Sequence, residues 1–525
     1  VVSRLSWQQD GRNEITRNKR STKQCWCRAF LRRRPPYIVL SEDDQVNQSE
    51  YWNSNSKIIS EEENTENAIS TNKVPGFGYR HVQIGLLFLM LAIGYAMRVN
   101  LSVGIVAMTN GNTTENHDVP WYPWENKSVI LSSFFWGYIC LQIFAGELGQ
   151  TYGTKWLAFV AMAVNSTACF IIPFMAEWLG SPGVIICRVV QGLSQGFFFP
   201  SVHNILGKWA PLDERSFLSM IAFAGPSFGT IVSLIASGAI ASSWVGWPYA
   251  FYIFGGLGYV WMLAWAFLAA NTPALHPNIS KSEKEYIEKS LSVKTQVVPP
   301  TPWKKIFTSV PVWAFIITMF GQNWGYSTLL TEIPNYLDKI MNFKMTSNSL
   351  LSAAPYATCF LLSFVFGAIS DFLINRKYFT RQFARKFFNT IGILGPAIAL
   401  VVLSFLPDSQ STLSVIMLVI AVGINSAAFV GFQINPVDLA PKYSGVLMGI
   451  GNGSSNIFSI LAPLTVQFVV NPEDDKSLWR IIFIIAACVY TAAAIIFIIF
   501  GSAEVQPWND EEQNNEKEEE NKEKV

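Results

Sequence analysis

Apolar runs and short polar connections alternate along this chain from Ile84 to about residue 501. A bilayer core takes about 20 helical residues, and the runs match that length. The pattern predicts spans at 84–108, 128–149, 155–176, 183–206, 216–240 and 248–270, then at 309–333, 348–372, 385–406, 411–434, 444–469 and 478–501. A longer polar connection, 271–308, carries Lys281, Lys284, Lys289, Lys294, Lys304 and Lys305 and divides the spans into two sixes. The expected organisation is therefore a polar N-terminal segment 1–80, a six-helix bundle 81–270, a linker 271–308, a second six-helix bundle 309–501 and a tail 502–525. Both ends read as disordered: the first mixes basic and acidic clusters, and the second is strongly acidic.

Composition agrees with that reading. Half of the 525 residues are hydrophobic and 14% are charged, well below the charged share of a soluble protein. The net charge of +1 gives no sign of a nucleic-acid partner. The seven cysteines have no zinc spacing and no framework of paired positions, so the five in the spans read as small hydrophobes. No metal-ligand cluster and no cofactor loop is visible. The sequence opens on Val1, and its first methionine is Met90, inside the first span. That reads as a truncated start, and no cleavable signal peptide is expected.

Charge placement sets the expected orientation. Lys155, Lys208, Arg215, Arg376, Lys377, Arg381, Arg385, Lys386 and Lys442 fall in loops on the side of the linker, against Lys127, Lys339, Lys344 and Lys476 on the other. Positive loops face the cytoplasm, which puts both termini inside. The first outer loop carries two glycosylation sequons, at Asn112 and Asn126, the second close to the membrane.

Arg98 stands well inside the first apolar run. An arginine at the centre of a span costs about 2.5–3.5 kcal/mol on insertion scales, so it reads as an inward-facing group that meets a solute or a buried acid. Arg188, Gln191 and Gln195 lie three and seven residues apart, on one helical face of the fourth span. Together with Arg98 they predict a cationic pocket in the outer half of the membrane, where a guanidinium fork matches carboxylate or phosphate oxygens. Snorkelling of Arg188 to the interface is the plainer alternative. From the other half, Gln322, Asn323, Tyr326, Ser327 and Thr328, with Asn425, Ser426 and Gln433, either line the path or bond helix to helix. Asn100 and Gln195 are the candidates for handling a coupling ion. Gly445, Gly449 and Gly453 recur every four residues, a ladder that lets helices pack closely. Glu147 and Asp371, at inner span ends, are expected to fasten an inner gate. The string Gly192-Leu193-Ser194-Gln195-Gly196 matches a hydrolase elbow, but it lies mid-helix, where that motif does not work.

Turn for turn, the second and eighth spans end alike: Gly146-Glu147-Leu148-Gly149-Gln150 in one half, Gly367-Ala368-Ile369-Ser370-Asp371 in the other. Two such halves are the arrangement of major facilitator transporters. The blocks RVNLSVGIVAM (98–108), SSFFWGYICLQI (132–143), RVVQGLSQGFFFPSVH (188–203), KWAPLDERS (208–216), NWGYSTLLTEIPNYL (323–337) and INPVDLAPKYSGVLMGIGN (434–452) resemble the anion:cation symporter branch of that superfamily. That branch holds type I sodium/phosphate cotransporters, sialin and vesicular glutamate transporters. The resemblance covers about 80–505 and implies an all-α, twelve-helix transporter of anions, with both arginines handling substrate. Where vesicular glutamate transporters carry histidine and arginine, this chain has Leu131 and Gln322. Where sialin has glutamate, it has Gln195, an amide that exchanges no proton near neutral pH.

The expectation is thus a non-enzymatic, monomeric plasma-membrane protein in contact with lipid that runs sodium-coupled symport of phosphate or small organic anions. Two alternatives stay open: a proton-coupled, sialin-like exporter of acidic sugars or amino acids, and a sensor on a transporter fold without net flux.

Overall fold

The computed structural model describes residues 76–109, 116, 118–291, 300–332, 336, 349–407, 410–470 and 475–509. Among these there is no strand. The first lobe comprises α1 (Tyr79–Met108), α2 (Lys127–Thr151), α3 (Thr154–Leu179), α4 (Ser181–Gln195), α5 (Phe198–Trp209), α6 (Arg215–Ser242) and α7 (Trp247–Leu268). Two short helices follow, α8 (Lys281–Leu291) and α9 (Trp303–Thr308). The second lobe comprises α10 (Val310–Ser327), α11 (Ser349–Asn375), α12 (Arg381–Phe405), α13 (Ser411–Asn425), α14 (Asn435–Leu439), α15 (Ser444–Val469) and α16 (Lys476–Phe500).

Among the described residues twelve crossings result, because α4 continues into α5, and α13 continues through a π turn (Phe429–Gln433) into α14. By length and hydropathy alone, nine helical stretches among the described residues qualify as membrane spans. The three crossings outside that set are α4–α5, α10 and α15. Helix α4 stops at Gln195, too short to qualify by itself, while α10 and α15 are diluted by polar residues, Gln322 and Asn323, Asn452 and Ser455. Elsewhere the outward faces carry exposed Phe144, Trp156, Val160, Phe267, Ile398 and Ile499, as a lipid-facing surface requires.

Helix α1 begins at Tyr79, five residues ahead of the apolar run, because a partner in the linker satisfies its polar start. Glu283 of α8 accepts from the amides of Tyr79 (3.0 Å) and Arg80 (3.1 Å) and from Arg80 Nη1 (3.0 Å), while Arg80 Nε reaches Glu214 at 2.9 Å. One carboxylate thus caps the helix and neutralises its first cation. Burial, then Glu214 and Asp213, holds the Tyr286 hydroxyl above its ordinary range, so a neutral ring lies over Arg80, 5.6 Å from its Cζ.

The tail expectation is corrected at its start. Residues 501–509 fold back on the segment that joins α14 to α15: Gln506 N donates to Leu439 O (2.8 Å), Asn435 Nδ2 to Ser502 O (2.6 Å) and Lys442 N to Asn509 Oδ1 (3.2 Å), with Trp508 against Tyr443. Trp508, in a short acidic context, gave the signal that was overlooked: a tryptophan has apolar area to bury. Residues 510–525, like 1–75, lie outside the described residues. The cysteine expectation holds for Cys169, Cys187 and Cys359, which are buried, whereas Cys140 and Cys488 lie on the exposed surface.

The lobes meet at the end of the bundle where residues 76 and 509 lie, here called the basal end. Backbones touch there: a Cβ built on Gly146 of α2 would run into the main chain of Gly445 and Val446, and one on Gly207 into Pro441 O. Higher up, Gly449 lies on Gln142 O and Gly453 against Ile143, so the predicted glycine ladder of α15 is the groove that receives α2. Close approach of this kind needs residues without side chains. Gly146→Val should therefore lower any solute flux more than tenfold at normal membrane abundance, while Gly85→Val, with open space at its Cβ, should leave it unchanged. Flux assays normalised to surface expression check both outcomes.

Candidate functional site

Arg98 lies 19 residues into α1 and Arg188 seven residues into α4, which runs the other way. At 1.5 Å per residue both stand about 10–15 Å from the end of the bundle opposite the basal closure. The Arg98 guanidinium sits among four rings: Tyr95 (5.3 Å from Cζ to centroid), Phe134 (4.7 Å), Phe135 (4.8 Å) and Tyr138 (5.6 Å). Arg188 packs on the same Phe134 ring at 4.9 Å. Its Nη1 donates to Arg98 O (3.3 Å) and to Gln191 Oε1 (3.2 Å), and its Nε has no acceptor. Arg188 is only 3% exposed, so it does not snorkel.

Neither guanidinium forms an ion pair among the described residues; the buried acids Glu283, Asp371 and Asp438 are engaged elsewhere. Two positive charges within 5 Å of one ring stand under about 10 Å apart, which at an effective dielectric of 20 is a repulsion of roughly 2 kcal/mol. The aromatic faces offset part of it, at about 0.5–2 kcal/mol per close cation. An anion seated between the guanidiniums removes the repulsion and uses the free donors. Gln191 Nε2, buried and unpaired, is a further donor beside them.

The other candidates are placed differently. Gln195 turns away from the pocket and ties α4 to its neighbours: Nε2 donates to Gly94 O (2.9 Å) and Asn165 Oδ1 (3.1 Å). Asn100 Oδ1 accepts from Ser237 Oγ at 2.8 Å, and its Nδ2 is buried without a partner. Gln322 and Asn425 form a reciprocal amide pair, 2.7 and 3.1 Å, and Asn323 Nδ2 donates to Ser455 Oγ at 2.5 Å. These amides join α10 to α13 and α15. Tyr326, half-buried, lies within electrostatic reach of Tyr95 and Tyr356, and Tyr356 within that of Arg98. Asn126 stands at the N-cap position of α2 without a side-chain cap bond, and its Nδ2 donates to Ser181 Oγ at 3.1 Å; Asn112 lies outside the described residues.

Below the arginines the seam is sealed. Asn452 Nδ2 donates to the Tyr138 hydroxyl (3.0 Å), Gly445 N to Asn204 Oδ1 (3.1 Å) and Gln150 Nε2 to Lys442 O (2.6 Å). Asp371 accepts from the amides of Ser216 (3.1 Å) and Phe217 (2.7 Å) at the start of α6, an anion on a helix N-terminus. Glu147, its expected counterpart, makes no ion pair among the described residues; its carboxylate sits half-buried beside the Gly146 crossing.

Sequence reasoning missed the strongest fastening. Asp438 of α14, fully buried, takes Arg215 Nη1 of the first lobe at 2.9 Å and Arg385 Nε of the second at 2.6 Å, and Arg385 Nη1 also donates to Ser216 Oγ at 2.9 Å. The signal was a lone acid inside the apolar block INPVDLAP, where an ionisable group marks a partner by default. Asp438→Asn leaves two buried guanidiniums uncompensated and should destabilise the folded protein by about 3–5 kcal/mol. Thermal unfolding in detergent would show this as a Tm drop far larger than that of Glu147→Gln.

Helices apolar outside and polar along a central seam, arranged as two lobes sealed at one end, define an integral membrane protein that moves solutes past itself. The Major Facilitator Superfamily model matches residues 86–463, and the chain belongs to that family. It is 37% identical over 468 residues to the Drosophila melanogaster protein named Putative inorganic phosphate cotransporter, covering 84% of this chain and 88% of that relative. To human sialin it is 36% identical over 445 residues (81% and 89%), and to bovine vesicular glutamate transporter 1 it is 33% identical over 454 residues (84% and 80%). The fold matches that of the solved proton:xylose symporter XylE at a TM-score of 0.60 and 15% identity, covering 81% of this chain and 98% of that one.

Proposed function

We propose that this protein is a secondary active anion transporter that alternates access to Arg98 and Arg188 between the two faces of the membrane. The single observation behind the reading is the pair of guanidiniums at mid-bundle with no acid on either among the described residues. The phosphate, sialin and glutamate names of the relatives are in keeping with an anionic cargo, and inorganic phosphate or a small organic anion fits two forks of donors. The basal end carries both described termini and the basic loops, so it is assigned to the cytoplasm and the arrangement is outward-facing. A plasma-membrane location, glycosylation at Asn112 and a monomeric state belong to the same reading. Of the two sequons Asn112 is favoured, because the Asn126 amide, at the start of α2, is bonded to Ser181 Oγ.

Sodium is the coupling ion in this proposal. The position on α4 that would exchange a proton holds Gln195, whose amide is bound to a backbone carbonyl. Gln195→Glu would set a carboxylate against Gly94 O and bind only when protonated, so uptake by that variant should become steeply pH-dependent. An unchanged pH profile in reconstituted vesicles removes Gln195 from the coupling account.

Uptake of labelled phosphate and organic anions into proteoliposomes, with and without a sodium gradient and at two pH values, tests the function. Sodium-dependent uptake is expected, with kcat/KM at least tenfold lower in Arg188→Lys, which keeps the charge but loses the fork, and no uptake in Arg98→Gln. Uptake driven by a proton gradient without sodium would favour the sialin-like reading. Absence of flux under every condition would favour a sensor.

A further inference from the structure

One face of α2 follows the seam from the arginines down to the basal closure. Phe134, Tyr138, Gln142 and Gly146 recur on it every four residues. Phe134 lies under both guanidiniums, Tyr138 accepts from Asn452 of the second lobe, and Gly146 meets the main chain of Gly445. Gln142 stands between the last two, about 14 Å from the basal end of α2 at 1.5 Å per residue. It is fully buried, and neither its Oε1 nor its Nε2 has a hydrogen-bond partner among the described residues. The Tyr138 hydroxyl, one turn along, lies near the amide but is engaged by Asn452, outside bonding geometry for either Gln142 atom.

The packing explains why. A Cβ built on Gly449 would lie 2.5 Å from Gln142 O, one on Gly453 3.6 Å from Gln142 Cβ, and one on Gly196 3.7 Å from Gln142 N. Glycines have no side chain to offer the amide, and the two on α15 spend their backbone groups inside that helix. The groove that lets the lobes approach closely is thus the feature that strands the Gln142 carboxamide.

A buried amide without partners is destabilising by its full desolvation cost. That cost applies only while α15 covers Gln142. When the lobes part at the basal end, water reaches this face of α2 and hydrates the amide. Gln142 therefore disfavours the shut form relative to the open one, opposite in sign to Asn452, Asn204 and Gln150, whose bonds across the seam favour it. An apolar side chain of the same length would act the other way, buried against the glycine groove in the shut form and exposed to water in the open one.

We propose that Gln142 is a release element of the basal gate, whose stranded carboxamide raises the free energy of the shut seam and so sets how readily the lobes part. The proposal rests on the alternating-access reading and is independent of cargo and coupling ion.

Tyr152 and Tyr378 are exposed, one in each lobe near the basal end, and suit spin labels introduced as Tyr152→Cys and Tyr378→Cys in full-length protein whose own cysteines are replaced. Double electron–electron resonance in lipid nanodiscs without substrate gives the shut-to-open ratio for this parent and for the parent carrying Gln142→Met, an apolar replacement of nearly the same shape. The ratio should rise about tenfold in Gln142→Met, the worth of one stranded buried amide, with Tm in detergent unchanged or higher. Equal ratios, the result if an ordered water serves the amide in the shut form as well as bulk water does in the open one, overturn the proposal. So does a lower ratio or a fall in Tm, since either means that the amide makes a favourable contact in the shut seam. A parent confined to the shut distance removes the alternating-access reading and this proposal with it, whereas a parent with both distances and an unmoved variant removes this proposal alone.

Discussion

The interaction on which the rest depends is an incomplete one: two guanidiniums, at a depth where an isolated charge costs several kcal/mol, with aromatic faces around them and, among the described residues, no acid on either. A buried structural arginine is retained by a carboxylate, as Asp438 retains Arg215 and Arg385 at the basal end. Arg98 and Arg188 are held instead by ring quadrupoles, a helix carbonyl and the Gln191 amide. These are sufficient to keep the charges in place and leave their strongest donors free. Such a pair is a standing requirement for an anion, and the surrounding fold decides from which side one arrives.

That decision is made at the seam. The closure combines backbone-to-backbone packing at Gly146 and Gly445, hydrogen bonds that end on main-chain atoms, and a carboxylate held by one arginine from each lobe. The packing and hydrogen-bond contacts are numerous but individually modest, and the Arg215–Asp438 ion pair is the strongest tie between the lobes. Segments 281–291 and 501–509 fasten the two lobes internally rather than to one another: Glu283 caps α1 in the first lobe, and Gln506, Trp508 and Asn509 clasp the α14–α15 segment in the second. The lobes are stiffened as units, and the movable surface is left between them.

The architecture was legible in the sequence because a bilayer constrains it: span length, loop charge and the long middle connection report directly on the physical medium. The two arginines were legible for the same reason, being charges where charges are expensive. What stayed hidden depends on rotation about helix axes, which a one-dimensional pattern conveys poorly for helices apolar on most faces. Gln195 shares a face with Arg188 by spacing, yet the break at Gly196 and the nearness of Gly94 and Asn165 turn it toward α1 and α3. Gln322 and Asn425 satisfy each other, a pairing between distant spans that neither local pattern contains. Asp438 was visible as a letter, but its meaning comes from a partner more than 200 residues away on the other lobe.

The most direct test of the central claim is an electron cryo-microscopy map of the full-length protein in lipid nanodiscs with a saturating concentration of the anion it takes up. The account predicts density for the anion within hydrogen-bond reach of both guanidiniums, bounded by Phe134 and Tyr138. A map in which either guanidinium is turned to lipid or paired with a carboxylate of the chain, with the anion bound elsewhere, would contradict it.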